Sequence, residues 1–370
     1  MIKKISSPLI SLFLLFILVT ACAAPALPVV TQTPILPTDQ TAPSPSPVPP
    51  TQTPEARIPV VFLGDGAPDD ITAAMYLMLD TKINLVGIVV TNGETRPSRA
   101  IKKWLDYVYG YMDWTNVVVT AGCDCAVDPH PNQFPQSWRD LADNFWGMTL
   151  PNYQGKPSVL TGADLIIQMA NQYPGELVIL ITGPHTDLAL ALRNDATLKD
   201  KIKKVVIMGG AVNVAGNIHA DYAQETNLVS EWNIWVDALA AKEVFDSGIP
   251  LDIIPMDPVP EVELNSAYAQ KVGAVNLPGA NLMAVMWEAE FGWYQKDYIW
   301  IYDALAAIAI DHPELFEWVN APLTVVTDRG PNQGRTILQN GDGGNDHIRY
   351  ASHAAAQKVL DQLYYVFPPH

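Results

Sequence analysis

Short runs of branched apolar residues alternate along this chain with stretches whose apolar positions recur every three or four residues. Leu85–Val90, Val117–Thr120, Leu177–Ile181, Val205–Met208 and Leu251–Ile254 are apolar almost throughout, as parallel strands buried on both faces are. Ala163–Tyr173, Thr186–Asn194 and Asp237–Ser247 follow the helical period instead. This alternation predicts βαβ units, and so an α/β fold with a mainly parallel open sheet and helices on both faces. No internal repeat of fixed period interrupts it. Helices are expected to dominate Glu261–Gln295. From Leu323 the pattern predicts a small strand pair followed by a helix over Ser352–Leu363.

The N-terminus breaks from this pattern. Lys3 and Lys4 precede an apolar segment, Leu9 to Val19, that is too short to span a bilayer, as a secretory signal is. Val19-Thr20-Ala21-Cys22 closes it and is similar to a bacterial lipobox, in which the cysteine is lipidated and becomes the first mature residue. An ordinary cleaved signal with a chance cysteine is the plainer alternative. The stretch to Arg57 is rich in Pro, Thr, Ser and Gln, cannot bury a core, and favours an extended, semi-rigid spacer. The expected division is a lipoprotein signal over 1–21, a linker over 22–57 and one domain over 58–370. The expected location is extracytoplasmic, on a membrane anchor at the cell surface or periplasmic face.

Composition narrows the class of partner. The chain carries a net charge of −17, and loss of Lys3 and Lys4 with the signal makes it more negative. So acidic a surface argues against nucleic-acid polymers and anionic lipid surfaces. Ten tryptophans are many for this length; most belong in a core, and some suit stacking on a planar ligand. Cys123 and Cys125 form a Cys-Asp-Cys with too few neighbouring ligands for zinc. They are read as structural thiols, unpaired or locally paired.

The chemistry falls where strands end. Val60-Val61-Phe62-Leu63-Gly64-Asp65-Gly66-Ala67-Pro68-Asp69-Asp70 runs from a strand into the apolar helix Ile71 to Leu79. It sets three carboxylates within six residues, and acids so close repel one another unless a cation sits among them. A hard divalent cation takes carboxylate oxygens as ligands, and strand ends are where open α/β sheets bind. Ile181-Thr182-Gly183-Pro184-His185-Thr186-Asp187 repeats the strand–turn–helix pattern. Met208-Gly209-Gly210 ends another strand. Gly216-Asn217 and Glu231-Trp232-Asn233 offer groups suited to vicinal hydroxyls, and Tyr302-Asp303 heads an apolar helix.

Each motif alone has a bland reading as a turn, a strand exit or a helix cap. Their order resembles the inosine-uridine-preferring nucleoside hydrolase family over roughly Ile58 to Ile348. The family opens on Asp-x-Asp-Pro-Gly-x-Asp-Asp, whose last three acids match Asp65, Asp69 and Asp70. The resemblance implies that Asp65, Asp70, Asp303 and the Thr182 carbonyl hold a calcium ion. It further implies that Asp65 acts as general base on water, and that Asp69, Glu231, Asn233 and Asn217 bind ribose hydroxyls. N-glycosidic cleavage passes through an oxocarbenium-like state, so carboxylates near the sugar and an activated water are what the chemistry needs.

This chain departs from the pattern at several points. Leu63 replaces the family's first Asp, and Gly66-Ala67 replaces Pro-Gly. Gly93-Glu94 stands for the usual Gly-Asn, which turns Glu94 toward the ribose. Tyr302 takes the place of a histidine credited with protonating the leaving base, and becomes the candidate acid; His185 and His219 are further candidates. Trp232, Trp300 and Trp146 are candidate stacking walls, and Phe134-Pro135-Gln136-Ser137-Trp138-Arg139 a candidate lid. Two functions follow: calcium-dependent hydrolysis of a ribonucleoside to ribose and base, or a surface lipoprotein that captures a nucleoside or ribosyl ligand without turnover. The implied partners are a small nucleoside and a lipid anchor, with room for a homo-oligomer.

Overall fold

β1 (Ile58–Gly64) is the strand from which the sheet grows in both directions. The computed structural model describes residues 56–339 and 346–368; the expected signal, Cys22 and nearly all of the linker lie outside them. β2 (Ile83–Val90), β3 (Val118–Ala121), β4 (Leu177–Ile181), β5 (Ile202–Met208) and β6 (Leu251–Ile254) follow. Later come β7 (Glu263–Asn265), β8 (Tyr298–Trp300), β9 (Phe316–Asn320), β10 (Leu323–Val325), β11 (Thr336–Leu338) and β12 (Ile348–Ala354). Eight of these form one sheet in the order β3-β2-β1-β4-β5-β6-β12-β9. Every neighbouring pair is parallel except β12 with β9. β7 with β8 and β10 with β11 are small antiparallel pairs.

The strand alternation explains the two cores. Val60 and Phe62 of β1 pack with Ile88, Leu180 and Val206 on one face, under the helices Pro68–Leu79 and Pro278–Tyr294. Val61 and Leu63 pack with Val89, Ile179 and Ile207 on the other, under the helices Gly162–Gln172, Thr186–Asn194 and Ala238–Phe245. Both faces being covered, the strands need no polar alternation.

The order of the strands locates a crevice. The chain lays β2 and β3 on one side of β1, then returns to the other side with β4. Connections leaving β1 and β4 therefore diverge, and open α/β sheets bind ligands at this switch point, beyond the carboxyl ends. Leu63 and Ile181 are register partners, so the turns that follow them emerge side by side.

Most expected elements fall within a few residues of their predicted bounds. The C-terminal region differs. Ser352 and His353 lie in β12, and the helix begins later, at Ala356–Tyr365. β12 is laddered on both sides, to β6 and to β9, and that pairing outweighs a weak helical period. Cys123 and Cys125 are joined in a disulfide. Among the described residues no helix is long and apolar enough to cross a membrane.

Trp104 anchors the first core, 1% exposed, with Phe62, Tyr107 and Phe145 at ring separations of 6.2, 6.0 and 6.0 Å. Trp104→Ala is expected to cost about 3–5 kcal/mol by urea unfolding. A loss under about 1 kcal/mol would mean that this cluster collapses around the gap.

Candidate active site

Asp70 organises the acidic turn. It is the third residue of the Pro68–Leu79 helix, and its Oδ2 accepts the backbone N–H groups of Asp65, Gly66 and Ala67 at 3.0, 2.7 and 2.9 Å. Its Oδ1 accepts the Thr182 hydroxyl. One carboxylate thus satisfies the open N–H groups of a helix start, where the helix dipole favours negative charge, and ties the β1 exit to the β4 exit. Gly66 makes the reversal at φ +88°, a conformation that suits glycine.

Asp65 joins a third strand end. Its Oδ2 accepts the Glu94 N–H at 2.9 Å from the turn after β2. A side chain at Gly93 would bring its Cβ within 2.0 Å of that oxygen, so glycine is what lets the two turns touch.

These turns floor a cavity of about 340 Å³. Asp65 and Asp69 line it from the β1 exit, Glu94 from β2, Thr182 from β4 and Met208 from β5. Asn217, Glu231, Trp232 and Asn233 close one side, and Tyr302 and Asp303 another. Of the residues expected to hold the metal or the sugar, all line this one space except Asp70, which is not among its lining residues. Seven carboxylates face the cavity, against a single lysine, Lys296.

Electrostatics there are dominated by burial. Asp65 is pushed from 3.8 to about 6 by desolvation, opposed by hydrogen bonds from Asp70 and the Glu94 N–H. Asp69 is likewise raised to about 6 by desolvation, with the Asp65 charge adding to it. Asp70 and Asp303 lie well above the usual carboxylate range, first from burial and then from the neighbouring acids. Asp65 and Asp70 act on one another, as do Asp69 and Asp303, so the charges of these four acids are linked. None of the four is in an ion pair. Among the described residues no three acidic, histidine or cysteine side chains close around one point as a ready metal site. The donor set is all oxygen, buried and like-charged, which is the chemistry a hard divalent cation satisfies.

Glu231 has a structural share in the site. It caps the Trp232–Val236 helix, its Oε1 accepting the Asn233 N–H at 2.8 Å and its Oε2 the Ile234 N–H at 3.3 Å. Oε2 also accepts the Gly210 N–H at 3.1 Å, which pins the Met208-Gly209-Gly210 exit. Burial raises Glu231 to about 7 in spite of these donors. Asn233 donates to the Met208 carbonyl at 3.3 Å. Asn217 leaves a buried Oδ1 without a partner, as an atom awaiting a ligand would be.

The aromatic expectations divide. Trp232 stacks on Phe134 at 4.6 Å and donates its indole N–H to Asp221 at 3.2 Å, and both rings line the cavity with Trp138 and Trp300. The expected lid is thus a wall, Phe134 and Trp138, with Arg139 turned away to Asn92 at 2.6 Å. Trp146 lies outside the lining and donates to the Gly66 carbonyl at 2.9 Å, bracing the acidic turn. His185 is buried beside Phe245, with no partner at either ring nitrogen and its pKa lowered to about 3 by desolvation. His219 bonds the Glu225 carbonyl at 2.6 Å. Neither histidine lines the cavity.

The sequence reading missed Asp221, Glu290, Tyr294, Lys296 and Tyr298, all of which line the space. Glu290 was legible in principle. It sits at helical spacing from Met283, Met286 and Trp287, an acid on the buried face of an apolar helix.

The profile described as inosine-uridine preferring nucleoside hydrolase matches residues 60–362. The chain is 28% identical over 304 residues to uridine nucleosidase 1 of Arabidopsis thaliana, covering 79% of this chain and 86% of that protein. It is 27% identical over 295 residues to the pyrimidine-specific ribonucleoside hydrolase RihA of Citrobacter koseri, covering 76% and 88%. Among solved structures, a purine-preferring ribonucleoside hydrolase from Gardnerella vaginalis superposes with a TM-score of 0.75 at 24% identity, covering 84% of this chain and 98% of that one. This last likeness is one of fold.

The raised carboxyls carry a signed consequence. A group whose pKa is higher folded than unfolded holds its proton more tightly when folded, so ionising it costs stability. Asp65 and Asp69 rise from 3.8 to about 6, and Glu231 from 4.5 to about 7. Their contribution is full below about pH 4 and is lost as the pH climbs to about 7. In chelator, Asp65→Asn should therefore gain thermal stability relative to wild type across that window. A difference that stays flat or shrinks would show that Asp65 ionises freely in the fold.

Proposed function

The chain belongs to the inosine-uridine preferring nucleoside hydrolase family, and we propose that it hydrolyses the N-glycosidic bond of a ribonucleoside to ribose and free base with the help of a calcium ion. One observation carries the reading. Asp65, Asp69, Thr182 and Asp303 arrive from distant parts of the chain at one cavity, with Asn217, Glu231 and Asn233 across from them. The uridine-, pyrimidine- and purine-directed names of its relatives agree on the bond cleaved and differ on the base.

Asp65, Asp70, Asp303 and Thr182 would hold the calcium. When bound, the ion supplies the positive charge that these buried acids lack and makes water near it more acidic. The chain's own residues do the rest. Asp65 takes a proton from the attacking water as general base. Asp69, Asn217, Glu231 and Asn233 hold the ribose hydroxyls, and Glu94 adds a carboxyl to that shell. Trp232, backed by Phe134, offers its ring to the base. Ionised carboxylates around the sugar favour the positive charge that grows on it as the bond breaks. Tyr302 is held well above the usual phenol range by burial and by the nearby acids; it keeps its proton near neutral pH and serves better as a wall and hydrogen-bond donor than as an acid.

Release of free ribose from uridine, cytidine, inosine and guanosine, with and without chelator, tests this directly. Wild type should release ribose with calcium and lose most of the rate in chelator. Asp65→Asn should lose about 100-fold or more while keeping its fold. Tight nucleoside binding without ribose release would instead mark a capture protein.

The same reading sets the enzyme outside the cytoplasm, tethered at Cys22 by a lipid, with the Pro-rich segment as spacer. Its support is the Lys3-Lys4 leader and the Val19-Thr20-Ala21-Cys22 ending. Expressed in a bacterium, the protein should partition with membranes and label with radioactive palmitate. Cys22→Ala should lose the label, and retention of label in that variant would rule out the anchor.

A further inference from the structure

We propose that Glu290 gives its proton to the departing base, in the place left by the missing histidine; the inference rests on the hydrolase reading of this cavity. Glu290 lies on the Pro278–Tyr294 helix, among Met283, Met286, Trp287 and Phe291, which are committed to the core. It is only 4% exposed, lines the cavity, and its buried Oε1 has no hydrogen-bond partner. A carboxyl buried without a partner costs several kcal/mol. A chain that keeps one in a substrate-sized cavity has a use for it there.

The surroundings say which use. Asp69 faces Glu290 from the first helix, and with burial it drives the Glu290 carboxyl well above its ordinary range. Glu290 in turn acts on Glu94, from the turn after β2, and on Tyr294, one turn along its own helix. The only lysine of the lining, Lys296, sits over the Trp300 and Tyr298 rings at 4.6 and 5.4 Å and acts on Asp221. Glu290 has no ion pair to hold a charge, and its burial favours the neutral carboxyl, a form that donates one hydrogen bond. Three other acids of the cavity have partners: Glu231 caps a helix, Asp221 accepts from Trp232, and Asp65 accepts the Glu94 N–H.

The step balances. The C1′–N bond breaks, and its electron pair goes to the nitrogen of the base. The Glu290 proton passes to the base, so that it leaves neutral. Water oxygen bonds to C1′ and gives its proton to Asp65. Solvent then returns a proton to Glu290 and takes one from Asp65.

The full-length protein with calcium tests this through the leaving group. Glu290→Gln keeps the shape and has no acidic proton to give. Uridine and inosine hydrolysis should fall about 100-fold or more, whereas 4-nitrophenyl β-D-ribofuranoside, whose phenolate leaves without a proton, should stay within about threefold. The spared riboside also reports an intact fold. Glu290→Asp retains a proton and should recover at least about tenfold of the nucleoside rate over Gln. Equal losses on both substrates, no loss on nucleosides, or Asp behaving as Gln would overturn the assignment, as would the same split appearing in Tyr302→Phe and not in Glu290→Gln. Wild type inert on every one of these ribosides would instead sink the hydrolase reading itself.

Discussion

Buried carboxyls that pair with no lysine, arginine or histidine govern this protein. Asp65, Asp69, Asp70 and Asp303 meet at one end of the sheet without an ion pair, and desolvation with mutual repulsion holds all four in or toward the protonated state. Uncompensated charge in a low-dielectric setting is among the costliest features a fold can carry. It persists where the site is completed by something the chain does not itself supply. A divalent cation and the growing positive charge of a breaking glycosidic bond are both such complements. The acids whose burial costs the fold most are therefore those that would bind and catalyse.

The fold makes this tolerable by giving its functional carboxylates structural work. Asp70 is not among the lining residues of the cavity, yet it gathers three N–H groups of the acidic turn and the Thr182 hydroxyl. Glu231 faces the cavity while capping a helix and holding the Gly210 turn. Carboxylates fixed in this way stiffen an active site before the substrate arrives, and a site that need not reorganise stabilises developing charge more cheaply. Such residues have effects on activity and on stability that cannot be fully separated.

The end of the cavity that would face the base has a different character. Phe134, Trp138, Trp232 and Trp300 wall it, with Trp232 oriented by its bond to Asp221. Flat apolar walls accept any planar ring. Polar groups on the helix that ends at Tyr294, Glu290 among them, line the same cavity. Tyr302, standing where a histidine was expected, is too weak an acid for that work near neutral pH, which moves attention to groups that the linear motifs do not include.

By itself the sequence determined the architecture and the strand-end residues that line the cavity. Continuous apolar runs separated by amphipathic stretches can form little else than a covered parallel sheet. The motifs that close β1, β4 and β5 are local, because a turn following a buried strand must lie at the sheet's edge. Three things were settled only in three dimensions. β12 became a strand because two neighbours offered ladders to it, against its own local pattern. Trp146 and His185 left the candidate list because burial and partners are decided by what packs on top of them. Glu290, Lys296 and Asp221 entered the site because the helices that carry them fold over the switch point from far along the chain. No local period records such an approach, since it depends on which faces of separate elements the core brings together.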